Sequence, residues 1–305
     1  MNDVAMAQAV QKAARPRFYG NKTLHSKAAM HFPENLSDEH ESINRQYMAL
    51  LNKTLKEYLP LIRRAIDAER AGMRLDDDFT VTRMIRQVMD RARRDFESRA
   101  ATFGIERRIA TLAGQIRRHS VGEWRRVVHR TLGVNILDDY YMGEFYRNTM
   151  RQWMHTNTFA IKDIPQETFT NIQNIIHDGY LSGKSNTEMA QLIREANREG
   201  KDKAEFWARD QTSKLNAELT KQQQSDAGVE EYVWDSSGDS RVRVCHRELN
   251  GKSFSWNNPP EMWYMTKGGR VYTGRRCHPG EDYQCRCVAL PKFNIETLNL
   301  PWSGD

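Results

Sequence analysis

The chain has 305 residues, 39% hydrophobic and 28% charged, with a formal net charge of +6. That length holds two modest domains, or one with a long helical extension, and the composition supports a packed core. Several classes are excluded: no run nears the roughly 20 apolar residues of a membrane span, Met1 to Arg17 lacks the apolar run of a secretory signal, and four cysteines are too few for a disulfide scaffold.

Residues 1–36 read as a flexible N-terminal tail. Large apolar residues are sparse, and Arg15-Pro16 and Phe32-Pro33 interrupt any helix. Such a tail stays free or orders on a partner. Residues 37–154 read as a helical, arginine-rich domain. Ser37 is an N-cap candidate, with Asp38 and Glu39 in the first turn. Ile43, Tyr47, Leu51, Leu55 and Tyr58 recur at helical spacing. Pro60 kinks or merely interrupts a pattern that Ile62 and Ile66 continue. Gly72 and Asp76-Asp77-Asp78 mark a break, where an aspartate would cap a second helix striped by Val81, Ile85, Val88 and Met89. Phe103, Ile105, Ile109, Leu112 and Ile116 give a third stripe. No proline falls between Pro60 and Pro165, which favours long helices.

The charge is uneven. Arg63 to Arg130 holds 17 arginines and no lysine against ten carboxylates, a net +7. Guanidinium makes forked, bidentate bonds. The segment is therefore a solvated face with internal ion pairs, or a contact surface for protein or nucleic acid. The candidate contacts are Arg91, Arg93, Arg94, Arg107, Arg108, Arg117, Arg118, Arg125 and Arg126.

Tyr140, Tyr141, Phe145, Tyr146 and Trp153 form an aromatic stretch, read as core or interface. Asn157 to Ile161 reads as a short extended segment, and Pro165 as the first turn of the next helix. A helix pair follows over 166–199. Ser185-Asn186-Thr187-Glu188 has capping-box form, and Gly200 is placed as a C-cap. A further, polar helix covers about 203–224. After Gly228 the period changes. Tyr232-Val233-Trp234 and Val242-Arg243-Val244 read as short strands, and Asn250-Gly251 and Lys267-Gly268-Gly269 as turns. Residues 228–305 thus form a small C-terminal unit, and the fold class is α+β: a mostly helical N-terminal body with a loop-rich α+β C-terminal unit.

All four cysteines fall in that unit: Cys245, Cys277, Cys285 and Cys287. His246 and His278 stand beside two of them. A small loop-rich unit benefits from a metal clip or covalent staple, and thiolate with imidazole suits a closed tetrahedral zinc. The preferred ligand set is Cys277, Cys285, Cys287 and His246, with Cys245 and His278 as substitutes. One knuckle is Cys-x-Cys rather than Cys-x-x-Cys, so a disulfide or free buried thiols stay open. Cys245 and His246 would point to opposite faces of a strand. A catalytic version would be a metal-dependent nuclease using Asp239, Arg241, His246 and Asn250. In the plainer version Asp239 and Arg241 form a turn and ion pair, and Asn250-Gly251 turns a hairpin.

An ordered series then resembles a known family. It runs from Ala208-Arg209-Asp210-Gln211 through Asn216, Gly228, Trp234, Asp239-Ser240-Arg241, His246, Leu249-Asn250-Gly251, Pro259-Pro260 and His278-Pro279-Gly280 to Cys285-Arg286-Cys287 and Pro291. The series is similar to the minor head, or head-morphogenesis, proteins of tailed bacteriophages, of the phage Mu F-like type. Its motif residues here are Asp239, Arg241, His246, Gly251, Cys285, Arg286 and Cys287. Residues 155–227 would be the helical part of the module. Gln211 stands where the family often has an acid, and Cys245 lies outside the family pattern. The resemblance implies a virion protein, not an enzyme, made in the host cytoplasm and placed inside the head at the portal vertex. Its implied partners are the portal protein, major capsid or scaffolding protein, and packaged double-stranded DNA. Related toxins join such a module to effector domains, and the short stretch after Pro291 leaves no room for one.

Overall fold

A computed structural model describes residues 3–28, 30–71, 78–137, 141 and 143–301. The fold is α+β, as expected. In chain order it comprises α1 (Asp3–Ala14), a 3-10 turn (Arg15–Phe18), β1 (Thr23–His25), α2 (Glu34–Arg70), α3 (Asp78–Phe103), α4 (Ile105–Leu132), α5 (Glu144–Leu181), α6 (Asn186–Asp226), β2 (Glu231–Asp235), α7 (Val244–Leu249), β3 (Ser253–Ser255), β4 (Glu261–Thr266), β5 (Gly269–Arg276) and β6 (Val288–Asn294). The expected break at Gly72 and Asp76-Asp77 lies outside the described residues, as does Tyr140. No helix among the described residues is long and apolar enough to cross a membrane.

Two compact units are distinguished. One comprises Asp38–Thr111 and Met154–Ala208; the other comprises Met1–Ser37, Leu112–Trp153 and Arg209–Asp305.

The first unit is helical. Ile43, Tyr47, Leu51, Leu55, Ile62 and Ile66 form the buried face of α2, and Tyr47 meets Phe96 edge-on at 5.9 Å. Pro60 lies inside α2 without ending it. Its ring has no N–H to give, so the Lys56 carbonyl lacks its intrahelical donor. Asn157 to Ile161 is helical rather than extended, and Pro165 lies inside α5. The physical reason is tertiary: the Trp207 indole donates to the buried Asn157 Oδ1 at 3.1 Å. Gly200 is no cap. It sits inside α6, where a Cβ would strike the Thr168 hydroxyl and approach Met48 Cε at 3.1 Å. The capping box of α6 forms as read: the Glu188 amide donates to Ser185 Oγ at 3.2 Å, and the Ser185 amide to Glu188 Oε2 at 2.8 Å.

His40 is buried in this unit, and burial lowers its pKa to about 3, with a hydrogen bond to the Ala208 backbone opposing the shift. The unfolded chain takes up a proton near pH 6.5 that the folded unit refuses. Stability is therefore full above pH 6.5 and falls as pH drops toward 3. The expected loss is about 2 kcal/mol by pH 5. Chemical-denaturant titrations at pH 8 and pH 5 measure it, and His40→Gln should remove that part of the acid sensitivity.

The second unit carries a four-stranded antiparallel sheet in the order β1-β6-β2-β3. Leu24 pairs with Phe293, Trp234 with Ala289, and Tyr232 with both Pro291 and Phe254. The sheet packs on helices: Trp124 of α4 stacks on Phe293 at 5.9 Å, and Gln224 Nε2 of α6 donates to the Ala289 carbonyl at 2.7 Å. Of the aromatic stretch, Tyr141, Tyr146 and Trp153 are buried as core, while Phe145 is exposed. The N-terminal residues differ from a free tail. Val10, Ala14 and Phe18 are buried at helical spacing, and β1 forms the edge of the sheet. Val242-Arg243-Val244 is not a strand; it leads into α7, whose Cys245 and Leu249, one turn apart, face inward. Asn250-Gly251 accordingly turns a helix into β3 rather than joining two strands.

A candidate metal centre in the C-terminal unit

β2 and α7 deliver the first components. Trp234, Cys245, Leu249, Trp256, Trp263 and the remaining three cysteines share one buried cluster. Within it, one ligand atom each of His246, Cys285 and Cys287 lies within 4.8 Å of the others. His246 Nδ1 is 3.5 Å from Cys285 Sγ and 3.6 Å from Cys287 Sγ. A tetrahedral zinc with ordinary Zn–S and Zn–N bonds sets its N···S edges at about 3.6 Å. The three donors therefore fit a metal ion in both chemistry and spacing.

The surroundings hold these donors in place. His246 Nε2 faces Asp282 Oδ2 at 3.2 Å, the carboxylate–imidazole arrangement that orients a metal-binding histidine. Asp282 is also bound by Arg275 at 2.8 Å and Arg243 at 3.4 Å. Burial opposes the Asp282 charge, yet His246 and these arginines hold its pKa well below the usual carboxylate range. Burial also opposes the imidazolium, and the Asp282 and Cys285 partners outweigh it, leaving the His246 pKa raised to about 9. The two thiols divide one another's titration. Hydrogen bonding with Cys285 lowers the Cys287 pKa, while the same bond and burial raise that of Cys285. The Gly280 amide donates to Cys285 Sγ at 3.3 Å. Gly280 has φ +86°, and a Cβ there would meet Ala217 Cβ of α6 at 2.7 Å. Glycine is thus required where the His278-Pro279-Gly280 turn rests on α6.

The remaining sequence-predicted residues are distributed around this centre. Cys277 is buried in the same cluster, but its sulfur lies outside the close group, and burial pushes its thiol up to about 11. Cys245 packs in the cluster with its thiol raised by burial. His278 packs against the aromatic side of the same cluster, with Nδ1 2.9 Å from the Tyr232 hydroxyl and its ring 4.8 Å from Trp256. The four cysteines are free thiols.

The motif residues are framework. Asp239 caps its own turn, accepting from the Arg241 amide at 3.0 Å, and pairs with the Arg241 and Arg286 side chains. Arg286 also reaches Glu34 at the start of α2 at 2.6 Å. Asn250 Oδ1 accepts from the Ser236 amide at 2.8 Å, and the Gly251 amide donates to the Trp234 carbonyl at 2.8 Å. Each member of the nuclease set thus has a structural partner, and His246 is only 3% exposed.

Sequence reading gave no site role to Asp282, Arg243 and Arg275, which steady His246, and named Asp210 only as part of the family series. Asp210 Oδ1 accepts from the Gln284 amide at 3.0 Å, tying the loop before Cys285 to α6. An acid three residues before Cys285 was the available signal, though nothing in the spacing says that it faces His246.

The arginines of the basic segment divide. Arg93 lies over the Phe169 ring at 4.9 Å and donates to Gln166 at 3.2 Å. Arg108 lies over Phe103 at 4.2 Å, Arg117 reaches the Tyr141 carbonyl at 3.5 Å, and Arg126 pairs with Glu123 at 2.6 Å. Arg91, Arg94, Arg107, Arg118 and Arg125 are exposed.

The fold and centre define an α+β protein whose C-terminal unit is organised on a buried imidazole–dithiol group. Residues 170–290 match the family described as phage Mu protein F like protein. An uncharacterized protein of Haemophilus influenzae is 35% identical over 135 residues, 44% of this chain and 27% of that protein. The chain thus spans about a quarter of that relative's length. No solved structure matches.

Proposed function

We propose that the protein is a minor capsid component of a tailed phage, bound at the portal vertex inside the head, where it aids head assembly, genome packaging or delivery. The match of residues 170–290 to the phage Mu F-like family carries this reading. The exposed Arg91, Arg94 and Arg107 of the helical unit and, separately, Arg118 and Arg125 of the other unit support contacts with acidic protein faces or with packaged DNA. Portal protein is the principal partner, with major capsid or scaffolding protein as further neighbours.

The C-terminal centre serves this role as a clip. Zinc held by His246, Cys285 and Cys287, with Cys277 completing the tetrahedron on binding, would cross-link α7, the end of β5 and the Cys-Arg-Cys turn. When bound, the metal supplies charge neutralisation for the thiolates and a fixed tetrahedral geometry. The burial of His246 and the occupation of Asp239 and Asn250 favour this structural role over metal-dependent DNA cleavage.

Co-sedimentation with purified portal protein tests the assignment. The protein should travel with portal at low salt and dissociate as salt rises, and it should be present in procapsids and virions. Absence from both particles would refute the assignment.

A further inference from the structure

We propose that an apolar groove in the helical unit is a docking site for an acidic amphipathic helix of a partner protein. The groove has a volume of about 570 Å³. One wall is α2, where Leu55, Leu59, Ile62 and Ile66 succeed one another at helical spacing; the other is the start of α6, with Met189 and Ile193. Leu55 to Ile66 spans about 16 Å at 1.5 Å per residue, three turns of a helix. An apolar wall of that length, faced by Met189 and Ile193 one turn apart on α6, is a setting in which a third helix lays its i, i+4 and i+7 side chains.

Charge selects the occupant. The charged groups that line the groove are Lys56, Arg63 and Arg194, and no carboxylate among the described residues lines it, although Asp67 beside it pairs with Arg63 at 3.6 Å. A helix flanked by Asp or Glu meets these cations, whereas a basic helix meets like charge. The apolar floor disfavours nucleic acid, whose outer surface is phosphate.

One acceptor in the walls points to a polar contact as well. Asn197 lines the groove, and its Oδ1 is buried without a hydrogen-bond partner among the described residues. Buried acceptors are ordinarily satisfied. The occupant is therefore expected to carry a donor such as Trp, Gln or Ser within its apolar stripe.

The test is a display selection of randomised helical peptides on the full-length protein, with Ala190→Trp and Arg194→Glu variants in parallel. Ala190 lines the groove and is half-buried, so a tryptophan there fills it. Matching thermal melts establish that the variants fold. Enriched peptides should carry apolar residues at i, i+4 and i+7 and a net negative charge. Their affinity should fall at least tenfold in both variants. Enrichment of basic or neutral helices, equal binding to Ala190→Trp, or no enrichment at all would overturn the proposal. Displacement of enriched peptides by dodecanoate with no charge preference among them would also overturn it, marking a general lipid-like pocket.

Discussion

Gly228→Ala is expected to destabilise the C-terminal unit by about 3 kcal/mol. Gly228 ends α6 with φ +73°, a left-handed conformation that side chains other than glycine's rarely adopt. A Cβ would also collide with the Thr297 carbonyl oxygen and come within 2.8 Å of its carbon. This obstacle is backbone, fixed by its own bonds: the Asn299 amide donates to the Ala227 carbonyl at 3.0 Å, and Thr297 Oγ1 donates to the Gly228 carbonyl at 2.7 Å. Neither partner can move aside without breaking the lock between the end of α6 and the final segment. Urea unfolding followed by tryptophan fluorescence reads the effect, since Trp234, Trp256 and Trp263 all report on this unit. Gly251→Ala serves as a comparison. It shares a positive φ of 76° but meets nothing within 4 Å, so it should lose only the conformational part.

Cys285→Ser should have a comparable effect by a different route. Cys285 is 2% exposed, faces His246 Nδ1, and receives the Gly280 amide. Serine keeps the volume but is a far poorer zinc donor than thiolate. Loss of the clip should lower stability by about 3 kcal/mol, or about 6–12 °C in melting temperature for a domain of moderate size. Chelator should lower the melting temperature of the unsubstituted protein in the same direction and leave Cys285→Ser unchanged. Cys245→Ser, at a position outside the close group, should retain metal and the chelator response.

Periodic features were legible in the sequence because they are local. The stripe from Ile43 to Ile66 gave α2 despite Pro60, and Ser185 with Glu188 marked the start of α6 to the residue. Features decided by distant partners were not. Asn157 looks extended by composition but is helical because Trp207, 50 residues away, donates to it. Gly200 resembles a cap but exists for the close approach of Thr168 and Met48. The N-terminal residues look too polar to fold, yet β1 gains its order from β6, at the other end of the chain.

The same division runs through the candidate site. The clustering of cysteines and histidines after residue 244 identified the region, and His246, Cys285 and Cys287 were in the preferred set. The strand assigned to Val242-Val244 concealed that α7 presents Cys245 and His246 about 100° apart on a helix, not on opposite faces. Asp282 stayed hidden because its role depends on three contacts, with His246, Arg243 and Arg275, that only the fold assembles.

Metal content measured by inductively coupled plasma mass spectrometry, on protein purified without added metal, tests the central claim most directly. About one zinc per chain is expected for the unsubstituted protein and for Cys245→Ser, and none for Cys285→Ser. A fully folded, unsubstituted chain that carries no zinc, fails to take it up on addition and melts identically with and without chelator would contradict the account.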